Sequence, residues 1–184
     1  MSYTPVEAEP IIRHVHDCGF AVGVHGISYQ NINEMKLEYA TFCDTMGFAP
    51  SGIRMHYVRY DANTFDNLSR IGYHYDTTEF HKQESKTVKA PYKVNGMWEF
   101  PLTIMDGYLP QKLSAAQEKT LQILAECKAA GLEYITILFH DYQFCDDYLD
   151  IRDWYMWLMR YFYESPEFEF ISYEQAVRRL EEKQ

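Results

Sequence analysis

Basic charge is scarce in this sequence. Seventeen Lys and Arg face 27 Asp and Glu, leaving a formal net charge of -10 and a pI of about 5.1. A general nucleic-acid binder needs a basic footprint to displace counterions from phosphates, and an anionic membrane surface asks for the same. The one basic pair, Arg178-Arg179, is followed by Glu181-Glu182, so neither nucleic acid nor membrane is expected as a partner. Paired cysteines are also lacking. Cys18, Cys43, Cys127 and Cys145 show no C-x-x-C spacing and no dense framework, which reads as reduced, partly buried thiols in a cytoplasmic protein. No charged segment followed by an apolar one opens the chain, so no signal peptide is visible. The longest apolar runs, such as 134–139, are far too short to span a bilayer. Internal repeats and linkers rich in Gly or Pro are missing as well.

What remains is a chain of 184 residues, 47% hydrophobic and 24% charged, with an aromatic share of 16%. These values suit one globular domain over 1–184, with a core large enough to need no disulfide staple. Helical and extended patterns alternate. Ala8, Ile11, Ile12, Val15 and Cys18 recur at helical spacing before Gly19, and 20–24 follows as a short strand. Met35, Tyr39, Phe42 and Met46 form a second stripe, capped by Asn31 or Asn33 and closed by Gly47. The spacing predicts a strand at 52–56 and a helix from Asp61 or Asn63 to Gly72, leading into 73–75. Residues 77–96 are polar without a clear period, and 97–105 looks extended around Pro101. A helix capped by Ser114 and ended by Gly131, a doubly buried strand at 134–139, and an aromatic-faced helix over 146–163 follow. A strand at 168–171 and a short helix capped by Ser172 end the pattern. Such alternation predicts an α/β fold with a parallel sheet and crossover helices, open or curled into a barrel.

In folds of that kind the chemistry gathers where strands end, and titratable residues do collect there. His25 follows the first strand, Arg54 and His56 close the second, Asp76 follows the third, Glu99 and Asp106 flank the fourth, and His140-Asp141 follow the fifth. A histidine such as His140 can exchange protons near neutrality, or simply cap its strand through a carbonyl. His25, among small residues, can approach a metal or substrate, or be a structural strand-end histidine; one histidine alone makes no zinc site. Arg54 can orient an active-site carboxylate or form an internal salt bridge with Asp76, and the two roles are compatible. Glu99 with Asp106 invites a two-carboxylate glycosidase reading, but acidic side chains abound and sequence gives no separation between them. His14 and His16 lie two apart on a helix and do not face one another.

In order along the chain, Val22-Gly23-Val24-His25-Gly26, Gly52-Ile53-Arg54-Met55-His56-Tyr57, Gly72-Tyr73-His74-Tyr75-Asp76-Thr77-Thr78, Trp98-Glu99-Phe100-Pro101-Leu102 running to Asp106, and Ile137-Leu138-Phe139-His140 resemble motifs of the polysaccharide deacetylase family, in particular its divergent bacterial branch. The resemblance implies a deformed (β/α) barrel and metal-dependent removal of N- or O-acetyl groups from a carbohydrate, a hydrolase acting on carbon–nitrogen (amide) bonds. It implies a divalent metal, zinc foremost, with His25 as a ligand, His140 as general acid and Arg54 positioning the base. Asp76 joins His140 and Arg54 as a catalytic candidate. His56, Tyr57, Glu99 and Asp106 are expected on the substrate side.

Two departures from the family pattern stand out. No aspartate pair precedes His25, and the position of the family's second histidine holds Tyr29. The barrel is therefore expected to be incomplete. A self-dimer, a partner subunit or an upstream segment is expected to cover its exposed sheet edge. A catalytically inactive carbohydrate-binding or assembly subunit that keeps the fold stands as the alternative function.

Overall fold

The computed structural model describes residues 4–80 and 88–183. Part of the polar stretch noted at 77–96, residues 81–87, lies outside it, as do residues 1–3. The described residues form a mixed α/β fold, with six α-helices and mostly parallel strands. Contacts divide the chain into two compact units. Among the described residues, the first comprises 4–79, 91–101 and 172–183; the second comprises 80, 88–90 and 102–171.

The first unit is built on a five-stranded sheet in the order β1-β2-β3-β5-β4. Its strands are β1 (Val24–Gly26), β2 (Gly52–Met55), β3 (Tyr75–Asp76), β4 (Tyr92–Val94) and β5 (Met97–Glu99). β1, β2, β3 and β5 run parallel. β4 folds back antiparallel on β5 through Asn95 and Gly96, both at positive φ (47° and 95°). Asn-Gly between two strands is the preferred two-residue hairpin turn, because its twist matches that of the strands.

The parallel crossovers are made by α2 (Ile32–Met46), between β1 and β2, and α3 (Thr64–Ile71), between β2 and β3. The helices α1 (Pro5–Asp17) and α6 (Tyr173–Glu182), from the two ends of the chain, complete the unit. Each boundary has a chemical cause. Thr4 and Glu7 form a capping box on α1, and Asn31 accepts from the Asn33 amide at the start of α2. Gly47 and Gly72 end their helices in the left-handed conformation. Ser172 and Gln175 repeat the capping box on α6.

Arg13 of α1 donates to the carbonyls of Thr45 and Met46, satisfying the open C-terminus of α2. The core gathers Met35, Ile53, Met55, Leu68, Tyr73 and Met97. Close strand approach depends on Gly52, where a Cβ would lie 2.1 Å from the Tyr75 ring. At the far edge, Trp98 donates to Glu181 of α6 at 2.7 Å, and Lys93 pairs with the same carboxylate.

The second unit pairs β6 (Ile104–Met105) with β7 (Ile137–Leu138) in parallel, and carries α4 (Leu113–Ala129) and α5 (Leu149–Glu164). Trp154 is fully buried in its core with Ile104, Ala116, Leu124, Ile151, Leu158 and Phe162. Its indole N–H donates to the Thr120 hydroxyl at 2.9 Å, and that hydroxyl donates to the Ala116 carbonyl at 2.7 Å. The aromatic face of α5 is core, as the sequence predicts.

The α/β class with parallel strands is as expected; the described strands form two sheets, and barrel closure is not seen among them. Several finer expectations are corrected. The extended stretch 97–105 is two strands in different sheets, because Pro101 lacks the amide a continuous ladder needs. The run 134–139 keeps only two residues in strand geometry. Residues 168–171 form no strand; Phe168 packs instead on the second core. Lys112, not Ser114, is the N-cap of α4. No helix among the described residues is long and apolar enough to cross a membrane.

Candidate functional site

Three strands that hold or lead to candidate residues run into a 3-10 turn. β2 is followed by His56–Val58, β6 by Asp106–Tyr108, and β7, after Phe139 and His140, by Asp141–Gln143. A tight turn at a strand end turns side chains out of the sheet, which concentrates polar groups there.

In the first unit, His25 lies within β1, opposite Arg54 in the parallel register. Its Nε2 is 2.9 Å from Nδ1 of His56, so one imidazole donates and the other accepts. Burial, and then the nearby Arg59 cation, lower the His56 pKa and favour its neutral form. Tyr57 and Val58 both adopt positive φ (57° and 48°), a conformation that costs an L-residue roughly 1–2 kcal/mol. Tyr57 stands 65% exposed. Its ring is 4.0 Å from that of His56, and the Arg59 guanidinium lies over it at 5.1 Å and over Tyr29 at 5.9 Å.

The expected Arg54–Asp76 ion pair is replaced by a different arrangement. Arg54 Nε donates to the hydroxyl (2.7 Å) and carbonyl (3.2 Å) of Thr77, and the half-buried Tyr173 lies in its electrostatic reach. Asp76 accepts from the Thr78 hydroxyl at 2.6 Å, and that hydroxyl accepts the Met55 amide. Arg54 still acts on Asp76 through space, as a favourable but minor charge.

Glu99, opposite Asp76 in register, accepts the Glu79 amide at 2.8 Å. Burial raises the pKa of both carboxyls, and for Glu99 the Asp76 charge adds to the rise. The sequence reading puts Glu99 at the substrate. It has no exposed surface and lies in the interior of the first unit.

In the second unit, Asp106 and His140 form one construction. The two Asp106 oxygens approach His140 Nδ1 at 2.8 and 3.0 Å, and they also accept the His140 and Gly107 amides, both at 2.6 Å. The carboxylate is buried while the imidazole side chain is 36% exposed. Asp106, expected to meet substrate, is thus turned inward as the orienter of His140. It holds hydrogen on Nδ1 and leaves Nε2 as the nitrogen for proton exchange.

Among the described residues, no three His, Cys, Asp or Glu side chains converge as a metal site requires. His25 directs its Nε2 to His56 rather than to a shared focus. These residues do not fit the implied zinc centre, which needs about three protein ligands.

The sequence reading misses Glu38, which accepts the Ile27 and Ser28 amides and shapes the chain after β1. It also misses Tyr173, whose role depends on α6 returning from the far end of the chain.

No family model matches the chain, and no curated protein matches it. Among solved structures it is similar to the crystal structure of a "putative polysaccharide deacetylase" from Mycobacterium smegmatis. The TM-score is 0.70 and the identity 14%, over 96% of this chain and 69% of that one. At that identity the likeness is one of fold, and the fold is similar to that of a protein described as a polysaccharide deacetylase.

Proposed function

We propose that this chain carries a deacetylase-like hydrolase site for acylated carbohydrate, with His140 as its proton-exchanging group. The observation that supports this reading best is the Asp106–His140 couple, carried on a fold similar to that of a polysaccharide deacetylase. A buried carboxylate on Nδ1 fixes the tautomer and stabilises the imidazolium that forms during turnover. Nε2 takes a proton from water as the oxygen adds to the acyl carbon. It returns that proton to the leaving nitrogen or oxygen as the C–N or C–O bond breaks. No step is assigned to a metal, since the donors among the described residues do not form its site.

In the first unit, exposed Tyr57 offers a ring face for a sugar, flanked by His56 and Arg59. Arg54 and Asp76 brace the ends of β2 and β3 through Thr77 and Thr78.

Acetate release from N- and O-acetylated oligosaccharides tests the reading. Wild type is expected to release acetate, and His140→Ala to lower the rate by roughly 10²–10⁴. The second reading, a sugar-binding subunit without hydrolysis, is favoured by the engagement of His25 with His56. Oligosaccharide binding lost in Tyr57→Ala, with no acetate released by wild type, would select it.

A further inference from the structure

The first unit buries two acids side by side that the hydrolytic reading does not use as reacting groups. Asp76 and Glu99 each have 0% of their surface exposed and lie opposite one another in the β3–β5 register. One oxygen of each has an assigned donor: the Thr78 hydroxyl for Asp76 Oδ1 and the Glu79 amide for Glu99 Oε1. The remaining oxygens, Asp76 Oδ2 and Glu99 Oε2, find no donor among the described residues. The two side chains are nonetheless hydrogen-bond neighbours. Two ionised carboxylates cannot bond each other, and two adjacent buried charges repel strongly.

We propose that Asp76 and Glu99 share a single proton, and that this acid pair ties β3 to β5 and positions the 77–79 segment that holds Arg54. One hydrogen between Oδ2 and Oε2 satisfies both orphaned oxygens and leaves one negative charge on the pair. Arg54 on β2 is the cation facing that charge. The other titratable groups facing the pair are Glu79, Tyr60, Tyr73, Tyr92 and Tyr173. A phenol is neutral near pH 7 and desolvation raises the pKa of all four tyrosines further, so none of them supplies a competing charge near neutrality.

The pair serves as a positioning device rather than a reacting one, since neither side chain reaches solvent. Arg54 bonds the Thr77 carbonyl and hydroxyl, while the pair holds Thr78 and the Glu79 amide on either side. This assignment is independent of what the protein acts on.

The shared proton makes a signed prediction. The native state keeps a proton that the unfolded carboxyls release near their ordinary values. Stability is therefore full below those values and falls as pH rises above them, until the pair itself ionises. Denaturant unfolding of wild type and Glu99→Gln between about pH 5 and pH 8 tests this, with one net proton corresponding to up to about tenfold per pH unit in the folding equilibrium. In E99Q the side-chain carbonyl can accept the Glu79 amide and the side-chain nitrogen can donate to Asp76. That variant keeps the tie but carries no titrating hydrogen.

Wild type minus E99Q is expected to show a negative slope with pH, and the Glu79 amide to stay protected from hydrogen exchange in E99Q but not in Glu99→Leu. An identical slope in the two proteins would overturn the proposal. Infrared spectra of the wild type near neutral pH decide the matter even if E99Q fails to fold. A protonated carboxyl band absent there sinks the proposal; a band that is present, and is lost in Asp76→Asn, supports it.

Discussion

Among single residues, the best-built functional group is an imidazole with one nitrogen committed. Asp106 meets His140 through both the ring and the backbone amide, so the ring cannot rotate without breaking a bond to a carboxylate that is itself anchored. Asp106→Asn keeps the shape but offers one carbonyl oxygen and an NH₂ where two acceptors stood. The variant loses both the enforced tautomer and the counter-charge for the imidazolium. The expected result is a kcat lowered by roughly 10²-fold or more with KM little changed. Ring-nitrogen NMR shifts of His140 provide the check that a merely structural role would not move: one tautomer in wild type, a mixture in D106N. The histidine is legible in the sequence as a polar residue closing an apolar strand. Its partner is not, because Asp106 and His140 are 34 positions apart and only β6–β7 pairing brings them together.

Of the secondary-structure elements, helices have the most readable ends. Asn31, Gly47, Gly72 and Ser172 all act where the sequence places them, because capping is local chemistry. The β4–β5 hairpin escapes the periodicity argument since its strands have three residues each, too few to show alternation. Its Asn95-Gly96 turn carries the available signal. Gly96→Ala places a Cβ at φ 95° with open space around it, so the cost is backbone alone. A loss of about 1–2 kcal/mol in urea unfolding is expected. In the second unit, Thr120→Val keeps volume but removes the acceptor of the Trp154 indole N–H in a buried site. About 1–3 kcal/mol of destabilisation is expected by the same measurement, and an unchanged midpoint would mean that the hydroxyl does not satisfy the indole.

For the protein as a unit of assembly, charge and composition bound the partners while the sheet leaves an edge open. β1 pairs with β2 on one side, and no other strand among the described residues pairs with it. An open edge of this kind is a template for a further strand. A second copy, a partner subunit or an upstream segment is the expected occupant, and dimer increasing with protein concentration in sedimentation velocity would select the second copy. A single monomeric species across the concentration range would count against a second copy as the edge's partner.

Composition, local propensity and short-range periodicity account for the acidic balance of the chain, the alternation of helix and strand, and the helix caps. They account equally for the placement of His56 and Asp76 at strand ends, whereas His25 and Arg54 lie inside their strands, β1 running over 24–26 rather than the expected 20–24. Long-range packing alone brings His25 to His56, turns Arg54 to Thr77 rather than Asp76, and faces Glu99 and Asp106 inward. Each of those outcomes depends on strand register and on which face of a strand is covered. Neighbouring residues along a chain do not encode these facts; contacts between distant segments do.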